Sequence, residues 1–314
     1  TTTDGSTVRF DGTKPTLTSV SFSSTNVIDG GLAIPADTLY LDFISDEDLL
    51  TKEVLIAGFD ADTTFENEFR TPFRSWRIMD GTEPEGYIEF EIGYSDLVGN
   101  IGDTVEETTN QTSILFDMTP PDDFELDTVF VSGGKVIFGF WNGSNDTLTL
   151  RVPIPEGDET LIGGTFQSQV RFGEGAYVNL GDEKIIIGGQ GVSSQDLKIT
   201  RMEFTTANGY SENENVQFIA KAKDRAGNET VGSTDNTTLH IDEIVPSLTE
   251  VLIQSNNELD STWAKISDII SLNFIASEGL SFVTPVLFSD SLTGIPENAG
   301  SSWTVTKTIR SDNA

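Results

Sequence analysis

Residues 37–49 read Asp37-Thr-Leu39-Tyr-Leu41-Asp-Phe43-Ile44-Ser-Asp-Glu47-Asp-Leu49, and residues 268–280 read Asp268-Ile-Ile270-Ser-Leu272-Asn-Phe274-Ile275-Ala-Ser-Glu278-Gly-Leu280. In each stretch the apolar residues fall on every second position. Side chains alternate across a strand, so this period places one face in a core and the other in water. The two stretches also match each other, without a gap, at a constant offset of 231. The same offset aligns Pro15, Leu17, Thr18, Val20 and Phe22 with Pro246, Leu248, Thr249, Val251 and Ile253, and Ser75-Trp76 matches Ser302-Trp303 at an offset of 227. The chain therefore repeats a unit made of strands.

The edges of the unit repeat as well. An apolar residue, Asp, three residues and Pro recur as Phe10-Asp11 to Pro15, Phe116-Asp117 to Pro121 and Ile241-Asp242 to Pro246. The spacings suit one β-sandwich each. Ile88, Phe90, Ile92 and Tyr94 alternate up to Asp96-Leu-Val-Gly99-Asn100; Val216, Phe218, Ala220 and Ala222 alternate up to Asp224-Arg-Ala-Gly227-Asn228, at an offset of 128. Val136-Phe138-Phe140 and Leu148-Leu150-Val152 show the same period. Turn clusters such as Asp29-Gly30-Gly31, Ser132-Gly133-Gly134 and Asn142-Gly143-Ser144-Asn145 separate the runs. The expectation is an all-β chain, a row of antiparallel sandwiches.

The division expected is residues 1–14 as the closing strand of a preceding repeat, 15–120 as repeat one, 121–245 as repeat two, and 246–314 as repeat three without its C-terminal strands. Two readings of the ends follow. The chain is a slice of a longer tandem array, the preferred reading, or residues 1–14 complete repeat three of another copy by strand addition.

Composition narrows the partners. The 314 residues hold 51 Asp plus Glu against 18 Lys plus Arg, a net charge of −33. Such a surface repels phosphates, so nucleic acid is excluded as a partner and cations are the natural small ones. Cys is absent and His240 is the single histidine, which removes thiolate chemistry and multi-His metal sites. No apolar stretch approaches the ~20 residues of a membrane-spanning helix.

The boundary Phe10-Asp-x-Thr-x-Pro15 and the Asp-x-x-Gly-Asn turns resemble the immunoglobulin-like repeats of large bacterial and archaeal surface proteins. In repeat two, Trp141-Asn142-Gly-Ser-Asn145, Val152-Pro-Ile-Pro155 and Leu161-Ile-Gly-Gly-Thr165 are similar to a variant common in long secreted marine proteins. The third boundary departs from the pattern, reading Asp242-Glu-Ile-Val-Pro246 without the Thr. The resemblance covers essentially the whole chain and implies tandem immunoglobulin-like sandwiches in an elongated array outside the cell. It also implies a role as an adhesin stalk, a surface-layer subunit or a spacer, with calcium at domain junctions.

Calcium takes six to eight oxygen ligands, and the junctions supply candidates: Asp117, Asp122, Asp123, Asp242 and Glu243 at the boundaries, and Asp96, Asn100, Asp224 and Asn228 in the turns. The competing reading is that each turn Asp caps its own turn, with Gly supplying the positive φ. Asp60-Ala-Asp62 with Glu66 is no EF-hand, since it lacks the Gly at position six and has Thr71 at position twelve. That segment and Asp46-Glu47-Asp48 read as solvated turns.

Trp76, Trp141, Trp263 and Trp303 are candidates for a sugar-stacking platform; the matching positions of Trp76 and Trp303 favour core packing instead. His240 reads as an outward-facing surface residue. Sequons at Asn110, Asn142, Asn145, Asn228 and Asn236 are glycosylation candidates. No catalytic motif stands out. The reading is a structural or adhesive segment and no enzyme. A self-assembling lattice or filament subunit is the alternative, and a glycan-binding module the second alternative. Partners are then neighbouring repeats, other copies, or surface glycans.

Overall fold

The computed structural model describes residues 2–64, 72–188, 191–287, 290–291, 295–297 and 300–310. Strands make up 44% of it and helix 2%, so the chain is all-β. Contacts divide it into two compact units, Thr1–Ile241 and Asp242–Ala314. Among the described residues no helix is long and apolar enough to cross a membrane.

The larger unit holds two hydrophobic cores. Around the first, Leu17–Ser24, Thr38–Ser45, Phe73–Ile78 and Asp62–Thr64 form one antiparallel sheet in that order. A second sheet runs Phe59–Asp60, Leu49–Ile56, Phe90–Asp96. The alternating residues of the two meet in a single cluster: Val20, Phe22, Leu39, Leu41 and Phe43 from one, Leu49, Val54, Ile56, Phe90 and Ile92 from the other. Phe22 and Phe90 pack edge to face at 5.4 Å between centroids. Leu115–Phe116 closes this core by pairing parallel to Leu32–Ala33 and antiparallel to Gly86–Tyr87.

The second core lies between the sheet Thr128–Ser132, Thr147–Pro153, Ser194–Thr200 and a larger sheet whose central strands are Asn215–Lys223 and Thr165–Phe172. Trp141 is fully buried there, edge-on to Phe204 at 4.9 Å. Phe204 comes from a one-turn helix, Arg201–Thr205, which the alternation had not disclosed. Its signal is local: Thr200 and Glu203 form a reciprocal capping box.

One predicted strand is wrong. Val136 and Phe138 lie outside any strand, and only Phe140–Asn142 is extended. Gly134 and Gly139, at φ 53° and 78°, break the run into turns, which leaves Phe138 97% exposed. Asp60 and Asp62, read as a solvated loop, instead sit in the short strands Phe59–Asp60 and Asp62–Thr64; Glu66 and Thr71 lie outside the described residues.

The smaller unit carries the sheet Leu248–Ser255, Ile269–Ala276, Ser302–Thr308, Ile295–Glu297. Here the offset of 231 holds in three dimensions. Val20 pairs with Phe43 and Val251 with Phe274, and both ladders slip at the same step, between Leu17 and Ser19 and between Leu248 and Glu250. Even the strained turn residue repeats: Ala36 at φ 78° and Ser267 at φ 80°. The Trp match does not hold. Phe43 faces Phe73 and Phe274 faces Trp303, so Trp303 occupies the place of Phe73, at an offset of 230. Trp303 is a core residue, stacked on Phe274. Trp76 pairs with Tyr40 on the opposite face of its sheet.

Residues 5–16 form no strand. Val8 and Phe10 are 98% and 96% exposed, whereas Phe116 and Ile241, at the positions matching Phe10, are fully buried.

Candidate functional site

The two Asp-x-x-Gly-Asn turns are built alike. Asp96 accepts the N–H groups of Val98 and Asn100 on one oxygen and the Asn100 side-chain amide on the other. Asp224 accepts Gly227 and Asn228 N–H on one oxygen and the Asn228 amide on the other. Gly99 and Gly227, at φ 93° and 111°, let the chain double back. Each Asp thus caps its own turn, and each is almost wholly buried.

The same Asn side chains also tie the turn to the boundary segment. Asn100 donates to the Asp11 carbonyl and Asn228 to the Asp117 carbonyl, at 3.4 and 3.1 Å. This brings a boundary carboxylate beside a turn carboxylate, and a third joins each pair. Asp11, Glu47 and Asp96 form one cluster; Asp117, Asp158 and Asp224 form the other, their nearest oxygens within 4.8 Å of one another. Glu47, read from sequence as part of a wet turn, belongs to the first. Asp158 was not singled out by the sequence, because its loop, between Thr147–Pro153 and Thr165–Phe172, is longer than the equivalent loop that carries Glu47 between Thr38–Ser45 and Leu49–Ile56 and shares no register with it. Asp122, Asp123, Asp242 and Glu243 belong to neither cluster.

The second cluster sits between the first and second cores. The Thr160 hydroxyl lies 2.7 Å from an Asp117 oxygen and 2.6 Å from an Asp158 oxygen, one proton between two carboxylates, and the second Asp158 oxygen is buried without a hydrogen-bond partner. A cleft of about 340 Å³ opens beside it, lined by further carboxylates from Glu85, Asp122, Glu156 and Glu159. Bonds cross the junction on other sides too. Arg225 pairs with Asp29 at 3.1 Å, and Asn26 donates to the Ala226 carbonyl at 2.8 Å. Thr230 donates to the Pro121 carbonyl.

The electrostatics of the two clusters differ. Burial raises the Asp117 and Asp224 carboxyls above their ordinary values, outweighing the Thr160 and Asn228 bonds that favour the charged forms. Repulsion from Asp158 adds to the rise at Asp117, and repulsion from Asp117 to that at Asp224. Burial also pushes Asp96 upward, but the Asn100 side chain and the turn N–H groups prevail and leave it below its usual value. Glu47 is raised, by burial and by Asp11 and Asp96.

The remaining candidates sort by burial. Asn145 is fully buried, its amide bonded to the Gly133 carbonyl at 3.0 Å, so it offers no glycan acceptor in the folded chain. Asn228 spends its amide on Asp224 and Asp117. Asn110 and Asn236 are exposed, and Asn142 is partly covered, donating to the Lys135 carbonyl. Trp141 and Trp303 lie in cores, so the four Trp residues make no common platform. His240 is half-buried, edge-on to Phe140 at 5.6 Å, between the inward Leu239 and Ile241.

No family model matches the chain, and no curated protein matches it. Among solved structures it is similar to the SGBP-B protein of the mixed-linkage glucan utilization locus of Bacteroides ovatus, solved in complex with a mixed-linkage heptasaccharide. The identity is 13% and the TM-score 0.21, over 96% of this chain and 62% of that one. The chain thus spans less than two thirds of that protein, and a likeness at this level assigns no residue a role.

Proposed function

We propose that the chain is a structural segment of a long extracellular surface protein, a non-catalytic spacer of tandem immunoglobulin-like repeats whose junctions are stiffened by calcium. The observation behind this reading is the junction of the first and second cores. A linker of a few residues is pinned there on both sides, and three carboxylates converge with one buried oxygen left without a partner. Asp117, Asp158 and Asp224 would hold the ion, and a divalent charge would offset their mutual repulsion.

Millimolar calcium is then expected to raise the melting temperature well beyond sodium at equal ionic strength, and to slow amide exchange at Thr119 and Asn228. Asp158→Asn keeps the volume and lets an amide donate to the neighbouring carboxylates. It should abolish the calcium-specific part while stabilising the calcium-free chain by about 1 kcal/mol. Equal shifts with the two salts would reduce the effect to screening and defeat the calcium reading.

Glycan binding is a second reading, favoured by one observation. Tyr40 and Trp76 are cross-strand partners on the solvent side of their sheet, with the Arg74 guanidinium 4.7 Å from the Tyr40 ring. A mixed-linkage glucan oligosaccharide stacked there would quench Trp fluorescence in the native chain and leave Trp76→Ala unchanged. A flat titration removes this reading.

A further inference from the structure

We infer that the outward face of the first core's sheet takes an uncharged glycan and refuses an acidic one, with Asp42 setting the choice; this rests on the glycan reading of Tyr40 and Trp76. Two rows of side chains cross that face. Ser23, Tyr40, Trp76 and Asp62 are cross-strand neighbours in one row, and Ser21, Asp42 and Arg74 in the other. Tyr40 and Asp42 point away from the core, since Leu39, Leu41 and Phe43, which alternate with them, are buried. A hollow of about 340 Å³ opens over Thr38, Tyr40, Arg74 and Trp76.

The smaller unit shows that the fold does not require these residues. Its matching ladder sets Gln254, Ser271 and Thr306 where the larger unit has Ser23, Tyr40 and Trp76, and Leu252, Asn273 and Thr304 where it has Ser21, Asp42 and Arg74. The same sheet thus closes with neither ring and neither charge. Two aromatic side chains kept side by side on a wet face offer the surface on which a sugar ring stacks. The charge beside them is already balanced. Arg74 Nε and Nη2 donate to the two Asp42 oxygens at 2.7 and 2.9 Å. That bidentate fork is the geometry with which Arg grips the carboxylate of an acidic ligand, so Asp42 stands where a uronate carboxylate would bind. Among the described residues Arg74 Nη1 makes no hydrogen bond, which leaves it to donate to a sugar hydroxyl. A uronate would also meet the Asp62 side chain and a chain of net charge −33. A neutral glycan needs only stacking and hydrogen bonds.

Calorimetric titration of the whole chain tests this with two probes of equal length, a mixed-linkage glucan oligosaccharide and an oligogalacturonate, in salt that screens the distant charges. Asp42→Asn and Trp76→Thr copy the residues of the smaller unit's ladder, so the sheet should still form, which circular dichroism checks. The wild-type chain is expected to bind the neutral probe, and the acidic one at least roughly tenfold more weakly. Trp76→Thr should weaken neutral binding by roughly tenfold or more. Asp42→Asn frees the Arg74 fork. It should bind the oligogalacturonate at least roughly tenfold more tightly than the wild type does, and keep the neutral probe within about threefold. Three results overturn the inference and leave glycan binding standing: a wild-type chain that takes both probes equally, an Asp42→Asn chain that refuses the acidic probe as the wild type does, or neutral binding that survives Trp76→Thr. A wild-type chain that binds neither probe removes the glycan reading itself, and the choice made by Asp42 falls with it.

Discussion

Leu17–Ser24 and Leu248–Ser255 are the same strand in opposite surroundings. Both pair with their neighbour in one register and slip at the same residue. Yet Val20 and Phe22 are 0% and 4% exposed, whereas Val251 and Ile253 are 58% and 59% exposed. The difference lies across the core. Phe22 meets Phe90 on a second sheet, and among the described residues the smaller unit has no strand matching Phe90–Asp96. Alternation thus states which way a side chain points, and burial depends on what stands opposite.

The largest effect that follows is a pair of truncations. Phe22→Ala should cost the larger unit about 3–5 kcal/mol, through lost contacts and the cavity left behind. Ile253→Ala should change the smaller unit by no more than about 0.5 kcal/mol, as surface substitutions do. Urea melts of the two variants measure both. A cost of several kcal/mol at Ile253 would mean that its face is covered even in the isolated chain, and the contrast would collapse.

The same contrast explains what could be read from the residues. Strand direction was legible at Leu39-Leu41-Phe43 because a strictly alternating run has one strand solution, and the internal repeat confirmed the register independently. It failed at Val136-Phe138-Phe140 because Gly134 and Gly139 can adopt positive φ, and apolar spacing is blind to that. The Ser-Trp match misled because two identical residues at a shifted offset looked like register, while the ladder equates Trp303 with Phe73. The junction was half legible. Asp96, Asp117 and Asp224 carry a repeated motif, but Glu47 and Asp158 arrive from loops that only the folded chain brings near. Which groups compete for Asp224, its own turn or a cation, is a matter of three-dimensional neighbours, so the turn alone left both readings open.

A smaller and subtler effect separates the units by pH. In the larger unit Asp117 and Asp224 have folded-state pKa values above their unfolded ones, chiefly through burial. Their charged forms therefore cost stability at neutral pH, and the cost is relieved as pH falls through the raised values. In the smaller unit Asp268 is lowered, first by the Lys265 N–H, and Asp260 is lowered, first by the Thr262 hydroxyl. These contribute stability that persists until pH drops below the ordinary carboxylate range near ~4.

Between neutrality and about pH 5, then, the melting transition of the larger unit should rise while that of the smaller unit holds, each kcal/mol gained appearing as about 2–4 °C in a unit of the larger size. Acid also relieves the general repulsion of a chain carrying −33, which would lift both transitions. Asp117→Asn separates the two causes: it should remove part of the rise in the larger unit and leave the smaller one untouched. Parallel rises that survive Asp117→Asn would assign the whole effect to net charge, and the junction carboxyls would lose their special place in it.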